Sequence, residues 1–233
     1  MPKRGKKYQE AAAKIAHDQL YSRQEAVKLL KETAVTKFDP TVEVHMRLGV
    51  DPRHADQQIR EVVVLPHGLG KTVRILVFAE GEDARIAQEA GADIIADDEV
   101  IKKIQGGWVD FDVAMAVPSM MGKVGRLGRI LGPRGLMPNP RAGTVAPGSA
   151  LTQLIEEAKA GRVEFRVDRT SNIHAPFGKA SFTEEQLVDN LQSIINAVKR
   201  ARPAAAKGVY IKRIVVANTM GPGIRIDTVE ALN

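Results

Sequence analysis

Apolar residues recur at every second position from residue 41 to residue 50. Val42, Val44, Met46, Leu48 and Val50 share one face, while Glu43, His45 and Arg47 share the other. A period of two marks a strand with one face buried and one wetted, and Asp51-Pro52 ends it. Upstream, residues 7–19 have helical composition. Ser22 and Glu25 then form an S-x-x-E capping box ahead of Ala26, Val27, Leu29 and Leu30, which predicts a helix that fades before Phe38-Asp39-Pro40. Thr183 and Gln186 cap a longer helix reaching about Arg200, with Leu187, Leu191, Ile194, Ile195 and Val198 as its buried stripe. Val163, Phe165 and Val167 alternate along a strand whose expected hairpin partner is 172–177. Residues 62–65, 209–217 and 224–226 read as further short strands.

The middle of the chain has a different texture. Residues 73–79 and 113–117 are short continuous apolar runs, the pattern of strands buried on both faces. Between them lie a helix over 82–90 stopped by Gly91, a two-residue strand Ile94-Ile95, and a helix over 97–104. Strands alternating with short helices predict a small parallel α/β layer domain. Residues 120–149, rich in Gly and Pro, read as a long loop-rich excursion before a helix over 151–160. Glycine breaks at Pro66-His67-Gly68-Leu69-Gly70 and Ala160-Gly161 bound this section, which is compatible with a domain inserted on a two-stranded hinge. No internal repeat is visible.

Composition narrows the function classes. With 233 residues and 44% hydrophobic content, the chain can build one large core or two modest ones. It has no cysteine, so disulfides, thiol nucleophiles and cysteine-based metal sites are excluded. No apolar h-region follows the basic start, and no run approaches the roughly 20 apolar residues of a membrane span, so the expected compartment is the cytoplasm. The net charge of +6 is modest, but charge is segregated. Residues 80–112 hold ten carboxylates against three cations. Residues 113–155 hold no acid, yet carry Lys123, Arg126, Arg129, Arg134 and Arg141. A second acid-free run, 190–226, holds Lys199, Arg200, Arg202, Lys207, Lys212, Arg213 and Arg225, and the N-terminal tail adds Lys3, Arg4, Lys6 and Lys7. One such cluster is as readily a solvated face as a binding site. Three together favour a polyanionic partner gripped through counterion release. Aromatic residues at 4% argue against recognition built on base stacking.

No motif makes the chain an enzyme. Gly68-Leu69-Gly70-Lys71-Thr72 resembles the end of a phosphate-binding loop, but Leu65 stands where the first glycine belongs and Thr72 leads into a strand rather than a helix. Gly122-Lys123-Val124-Gly125 and Gly125-Arg126-Leu127-Gly128 match the four-residue GXXG clamp of KH modules without the surrounding element order. The histidines at 17, 45, 54, 67 and 174 show no metal-ligand spacing. Asp97-Asp98-Glu99 fits the acidic first turn of a helix better than a metal site. Asp39 and Asp168 lie near strand ends with no adjacent base or nucleophile. No catalytic residue, metal or cofactor is expected. The competing reading is a nucleotide-dependent enzyme with Lys71-Thr72 at phosphate.

Five segments together resemble the large-subunit ribosomal protein L-one family in its bacterial form. They are Lys37-Phe38-Asp39-Pro40-Thr41-Val42-Glu43-Val44, Leu65-Pro66-His67-Gly68-Leu69-Gly70-Lys71, the long block Gly128-Arg129-Ile130-Leu131-Gly132-Pro133-Arg134-Gly135-Leu136-Met137-Pro138-Asn139-Pro140, Gly161-Arg162-Val163-Glu164-Phe165-Arg166, and Thr219-Met220-Gly221-Pro222. The resemblance implies an α+β discontinuous domain, residues 1–66 plus 161–233, with an inserted three-layer α/β (Rossmann-like) domain, residues 67–160. It also implies binding to the ribosomal RNA of the mobile side stalk, help in releasing deacylated exit-site tRNA, and repression of its own operon mRNA. Apart from the resemblance, the sequence shows no long heptad or large apolar patch, so a monomer is expected off the ribosome.

Carried over by position, the RNA-binding residues would be Lys37, Phe38, Thr41, Glu43, Asp168, Arg169, Thr170, Ser171, Thr219, Met220 and Gly221. Hydroxyls and carboxylates can bond 2′-hydroxyls and base edges, a glycine admits close backbone approach, and Met and Phe pack on sugar or base faces. Phe38 is equally readable as a staple packed on the second helix, and Thr219-Met220 as a plain turn. The family often has glycine where this chain has Ser171, and serine there carries strain if φ is positive.

Overall fold

A computed structural model of the chain describes residues 4–16 and 18–232. Lys3 and His17, named above, lie outside the described residues. The order of elements is α1 (Lys6–Ala13), α2 (Arg23–Glu32), β1 (Thr41–Leu48), β2 (Arg60–Val64), β3 (Ile75–Phe78), α3 (Glu82–Glu89), β4 (Ile94–Ile95), α4 (Asp98–Gln105), β5 (Val113–Ala116), α5 (Met121–Gly125), α6 (Gly128–Leu131), α7 (Gly148–Ala160), β6 (Arg162–Arg166), β7 (Asn172–Lys179), α8 (Glu184–Arg200), β8 (Ile211–Asn218), β9 (Ile224–Ile226) and α9 (Thr228–Leu232). The fold is mixed α/β with three sheets, ordered β7-β1-β8-β9, β2-β6 and β4-β3-β5. No helix among the described residues is long and apolar enough to cross a membrane.

The chain divides into two compact units, Met1–Gly70 with Val163–Asn233, and Lys71–Arg162. In the first, β1 is antiparallel to β7 on one side and to β8 on the other. Its alternation is obeyed residue by residue: Val42, Val44, Met46 and Leu48 are buried. Helices α2 and α8 cover that face. Both open with the expected capping boxes, Ser22 with Glu25 and Thr183 with Gln186, and α8 buries Leu187, Leu191, Ile194, Ile195 and Val198. Each such side chain contributes roughly 2 kcal/mol by leaving water. The opposite face of the sheet carries no helix from this set and remains open.

The second unit holds the parallel sheet, with β3 between β4 and β5. All four residues of β3 are buried, as a continuous apolar run requires. Asp97 caps α4 by accepting from the Val100 N–H at 2.8 Å, so the acidic run is indeed a helix start. Helix α7 ends at Gly161, whose φ of 108° is a left-handed cap.

Three readings of local sequence need correcting. Residues 120–149 are not a structureless excursion: α5 and α6 lie within them, and Met120, Val124, Leu127 and Leu131 are buried in the core of the second unit. Their spacing of three and four was masked by the surrounding glycines. Strands β6 and β7 are not a hairpin pair. Apart from one bridge, Val167 with Ile173, β6 pairs with β2 and β7 with β1. The short helix α9 carried too little periodicity to be anticipated. The two compact units meet at Gly70/Lys71 and Arg162/Val163, a few residues C-terminal to the expected limits, for a visible reason. Asn190 of α8, fully buried, accepts from the His67 N–H at 3.1 Å and donates to the carbonyls of Gly68 at 3.0 Å and Phe177 at 2.9 Å, tying 67–68 to the first unit. Arg162 reaches Glu157 at 3.2 Å and the Ala142 carbonyl at 2.8 Å in the second.

The buried Asn190 amide pairs with three backbone groups, of which the Phe177 carbonyl is itself buried. Asn190→Leu keeps the volume and strands all three, and a buried polar group left unpaired costs about 1–3 kcal/mol. The expected result is a loss of about 1–3 kcal/mol in urea unfolding, dominated by the buried Phe177 carbonyl.

Candidate nucleic-acid interface

Because β1 is central, its two ends organise everything near them. At its start, the Thr41 carbonyl accepts from the Thr219 N–H at 2.9 Å and from the Thr219 hydroxyl at 3.1 Å, while the Thr41 hydroxyl accepts from Lys179 Nζ at 2.8 Å. Glu43 stands opposite Pro176 and Ala217 on the open face. Lys37 and Phe38 lie in the segment leading into Thr41, anchored by the Asp39 carboxylate, which accepts from the Ser181 N–H and hydroxyl at 3.0 and 2.7 Å. Phe38 is 59% exposed, so it is not a staple on α2.

Just beyond Thr219, Met220 is 73% exposed and has φ of 67°. A left-handed backbone costs an ordinary residue about 1–2 kcal/mol relative to glycine, and the fold gains no packing from this side chain in return. Gly221 also has a role within the chain. A Cβ there would lie 1.6 Å from Asn218 Oδ1. The space is taken by Asn218, which is buried and donates to the Leu30 carbonyl at 2.8 Å.

The other predicted residues lie at the far end of β1, roughly 25 Å away for a strand of this length. The Ser171 carbonyl accepts from the Leu48 N–H at 2.9 Å, and the Ser171 hydroxyl donates to the Val50 carbonyl at 2.8 Å. Asp168 Oδ1 accepts from the backbone N–H groups of Thr170 and Asn172, both at 2.8 Å, and its carboxylate also takes the Thr170 hydroxyl. Burial pushes this carboxyl upward, but the Asn172 N–H, the Thr170 hydroxyl and N–H, and nearby His174 outweigh it and hold its pKa at about 2. Asp168 is therefore an anion throughout the physiological range, with its oxygens largely spent on shaping the turn. Arg169 and Thr170 are exposed at the tip. Ser171 has φ of 65°, the strained conformation that glycine would relieve.

The structure thus gathers Lys37, Phe38, Thr41, Glu43, Thr219, Met220 and Gly221 at one end of the sheet, and places Asp168, Arg169, Thr170 and Ser171 at the other. Between them runs a face that motif reading passed over. His45, Arg47, Asn172, His174, Lys212, Arg213 and Val215 line a groove of about 510 Å³. The polar half of the β1 alternation was the available signal, but His174 and Arg213 join it only through strand pairing. The two histidines, unpaired by sequence spacing, meet across β1 and β7.

Other candidates are accounted for elsewhere. Lys71 is ion-paired with Asp112, whose carboxyl that hydrogen bond holds below its ordinary range, and no helix follows Lys71 to receive phosphate. Lys123 is held by Glu80 and Asp98, which raise its pKa, and its GXXG run is helical rather than a backbone clamp. Arg126, Arg129, Arg134 and Arg141 are exposed, with no ion-pair partner among the described residues. Among the described residues no group of three potential ligands could hold a metal.

Residues 30–222 match the ribosomal protein L1p/L10e family. Two relatives named large ribosomal subunit protein uL1, from two strains of Chloroflexus aurantiacus, are each 56% identical over 234 residues, covering 100% of this chain and 99% of the relative.

At Ser171 the hydroxyl and the backbone pull in opposite directions. Ser171→Ala keeps the strain and loses the bond to Val50, so stability should fall by about 1 kcal/mol. Ser171→Gly loses the same bond but relieves the strain, so its urea midpoint should lie close to that of the parent chain.

Proposed function

Because the chain belongs to the ribosomal protein L1p/L10e family, we propose that it is a protein of the large ribosomal subunit that binds folded ribosomal RNA of the mobile side stalk through the open face and two ends of its four-stranded sheet. The observation that carries this reading is Met220. A residue held in a costly backbone conformation with its side chain in solvent is explained when a partner uses that side chain. Phe38, exposed in the segment that leads to Thr41, supplies a second apolar surface beside hydroxyls and a carboxylate. That mixture suits sugar edges and splayed bases better than bare phosphate, and the cations at Arg47, Lys212 and Arg213 supply the salt-dependent share of binding.

The finer parts of the reading follow from the same surfaces. Lys37, Phe38, Thr41, Glu43, Thr219, Met220 and Gly221 form one contact region, with Asp168, Arg169, Thr170 and Ser171 as the other. A leader in the chain's own operon mRNA that presents a stalk-like fold would occupy the same regions, which is the basis for reading the protein as a translational repressor. The middle unit is read as an inserted three-layer α/β domain, supported by its parallel β4-β3-β5 order. Its unpaired Arg126, Arg129, Arg134 and Arg141 are the groups suited to exit-site tRNA. The protein works in the cytoplasm, on the ribosome, as a binding protein without catalysis, and is a monomer when free.

Met220→Gly separates fold from function. Stability should rise by about 1 kcal/mol as the left-handed strain is relieved, while affinity for stalk RNA should drop at least about tenfold, the loss of one well-packed contact. Chemical denaturation and filter binding at fixed salt read the two effects. Unchanged affinity would remove the support that Met220 gives.

A further inference from the structure

The open face holds an arrangement that RNA contact by shape and charge does not require. His45 and His174 stand directly opposite in the β1–β7 register, with ring centroids 5.0 Å apart at 62° and their Nδ1 atoms 2.8 Å apart. The outer nitrogen of each ring faces a carboxylate: His45 Nε2 lies 4.0 Å from Glu43, and His174 Nε2 lies 3.6 Å from Asp168. The array runs carboxylate, imidazole, imidazole, carboxylate.

Proton counting limits what this array can hold. A 2.8 Å contact between two ring nitrogens needs one hydrogen between them. Each Nε2 faces a carboxylate and can carry a further hydrogen. With both in place, three hydrogens on two rings give the pair a single positive charge, the most this contact admits. A fourth would set one Nδ1–H against another, so the free protein resists it. Burial, then the neighbouring His174, holds the His45 pKa below its ordinary value against the opposing pull of Glu43. The part-buried Lys179 of β7 is bonded to Thr41 at the edge of this face, and the exposed charged groups are Arg47 on β1, Lys212 and Arg213 on β8, and Arg225 on β9, opposite Val215 in the row that contains the pair. All four are exposed cations, and none has an ion-pair partner among the described residues. They disfavour the fourth proton in the free protein and attract an anion to the groove.

We propose that the His45–His174 pair is a proton-coupled phosphate site, in which a phosphate oxygen of bound RNA enters between the two Nδ1 atoms and the pair takes up one proton as it does. The inserted oxygen accepts from both Nδ1–H groups, replacing one nitrogen–nitrogen bond with two charge-assisted bonds. Each ring is then an imidazolium held between phosphate and its own carboxylate, Glu43 or Asp168. The anion places a negative group at the Nδ1 side of the rings, opposite the side that Glu43 and Asp168 face. With two ring nitrogens and no third ligand at hand, an oxoanion suits the cleft better than a metal ion. The inference rests on the RNA-binding reading above and adds a proton to it.

The sign of the linkage follows. Binding raises the proton affinity of the pair, so RNA affinity should rise as pH falls from about 8 to about 6, by up to about tenfold per pH unit where a full proton is taken up. The test is calorimetry of the full chain with a large-subunit ribosomal RNA fragment containing the side-stalk helices, in two buffers of different ionisation enthalpy at fixed salt. Uptake near one proton per complex is expected at about pH 6.5. In H45Q, and separately in H174Q, the uptake should vanish and the pH slope flatten, with low-pH affinity falling toward the high-pH value. Using both variants guards against a local folding defect in either one. RNA binding by the parent chain with no net proton uptake, or a slope that survives in both variants, would overturn the proton-coupled site alone. A chain that binds no stalk RNA at any pH would overturn this site and the RNA-binding reading together.

Discussion

Strand β1 is hydrogen-bonded along both edges, and its register with β7 and β8 decides what the rest of the first unit can present. Four of its side chains, Val42, Val44, Met46 and Leu48, are buried under α2 and α8. At roughly 2 kcal/mol each, a slip of one residue would expose about 8 kcal/mol of apolar surface and bury Glu43, His45 and Arg47 instead. The hydrophobic face therefore fixes the polar one. Thr41, Glu43, His45 and Arg47 are held outward as firmly as the core residues are held inward, and the turns at either end inherit that precision through the carbonyl of Thr41 and the N–H of Leu48.

The same register explains why strain sits where it does. Among the described residues, Ser171 and Met220 are the non-glycine positions with positive φ, and they occupy opposite ends of β1. Ser171 recovers part of its cost through the bond to Val50, so its strain is tied to the fold. Met220 has no such side-chain bond among the described residues and is 73% exposed. Two equal dihedral outliers thus have different meanings, and only the one with an idle side chain points to a partner.

Legibility in the sequence followed how local each signal was. The alternation of β1 and the capping boxes at Ser22 and Thr183 are complete within a few residues, and they appear in the structure as read. The pairing of β6 with β2 and of β7 with β1 is not local, so a turn between two alternating segments was read as a hairpin. Helices α5 and α6 were hidden because glycine spacing spoke louder than the buried Val124, Leu127 and Leu131. The candidate site shows the same division. Segment resemblance pointed to residues at both ends of the sheet, whereas His45 and His174, separated by 129 positions, meet only once the register is known. At Gly221, expected from resemblance alone, the structure adds an internal reason for glycine, the space filled by Asn218.

The account comes down to one surface: RNA lies against the outward side of the four-stranded sheet. Hydroxyl-radical footprinting of the chain on large-subunit ribosomal RNA tests it most directly, since exposed Met, Phe and His side chains oxidise readily. The account predicts that oxidation of Phe38, Met220 and His174 falls on RNA binding, while the exposed Val64 and Val229 remain as reactive as in the free chain. Protection centred on Val64 and the neighbouring Ser193 and Asn196, with Phe38 and Met220 still oxidised, would contradict it.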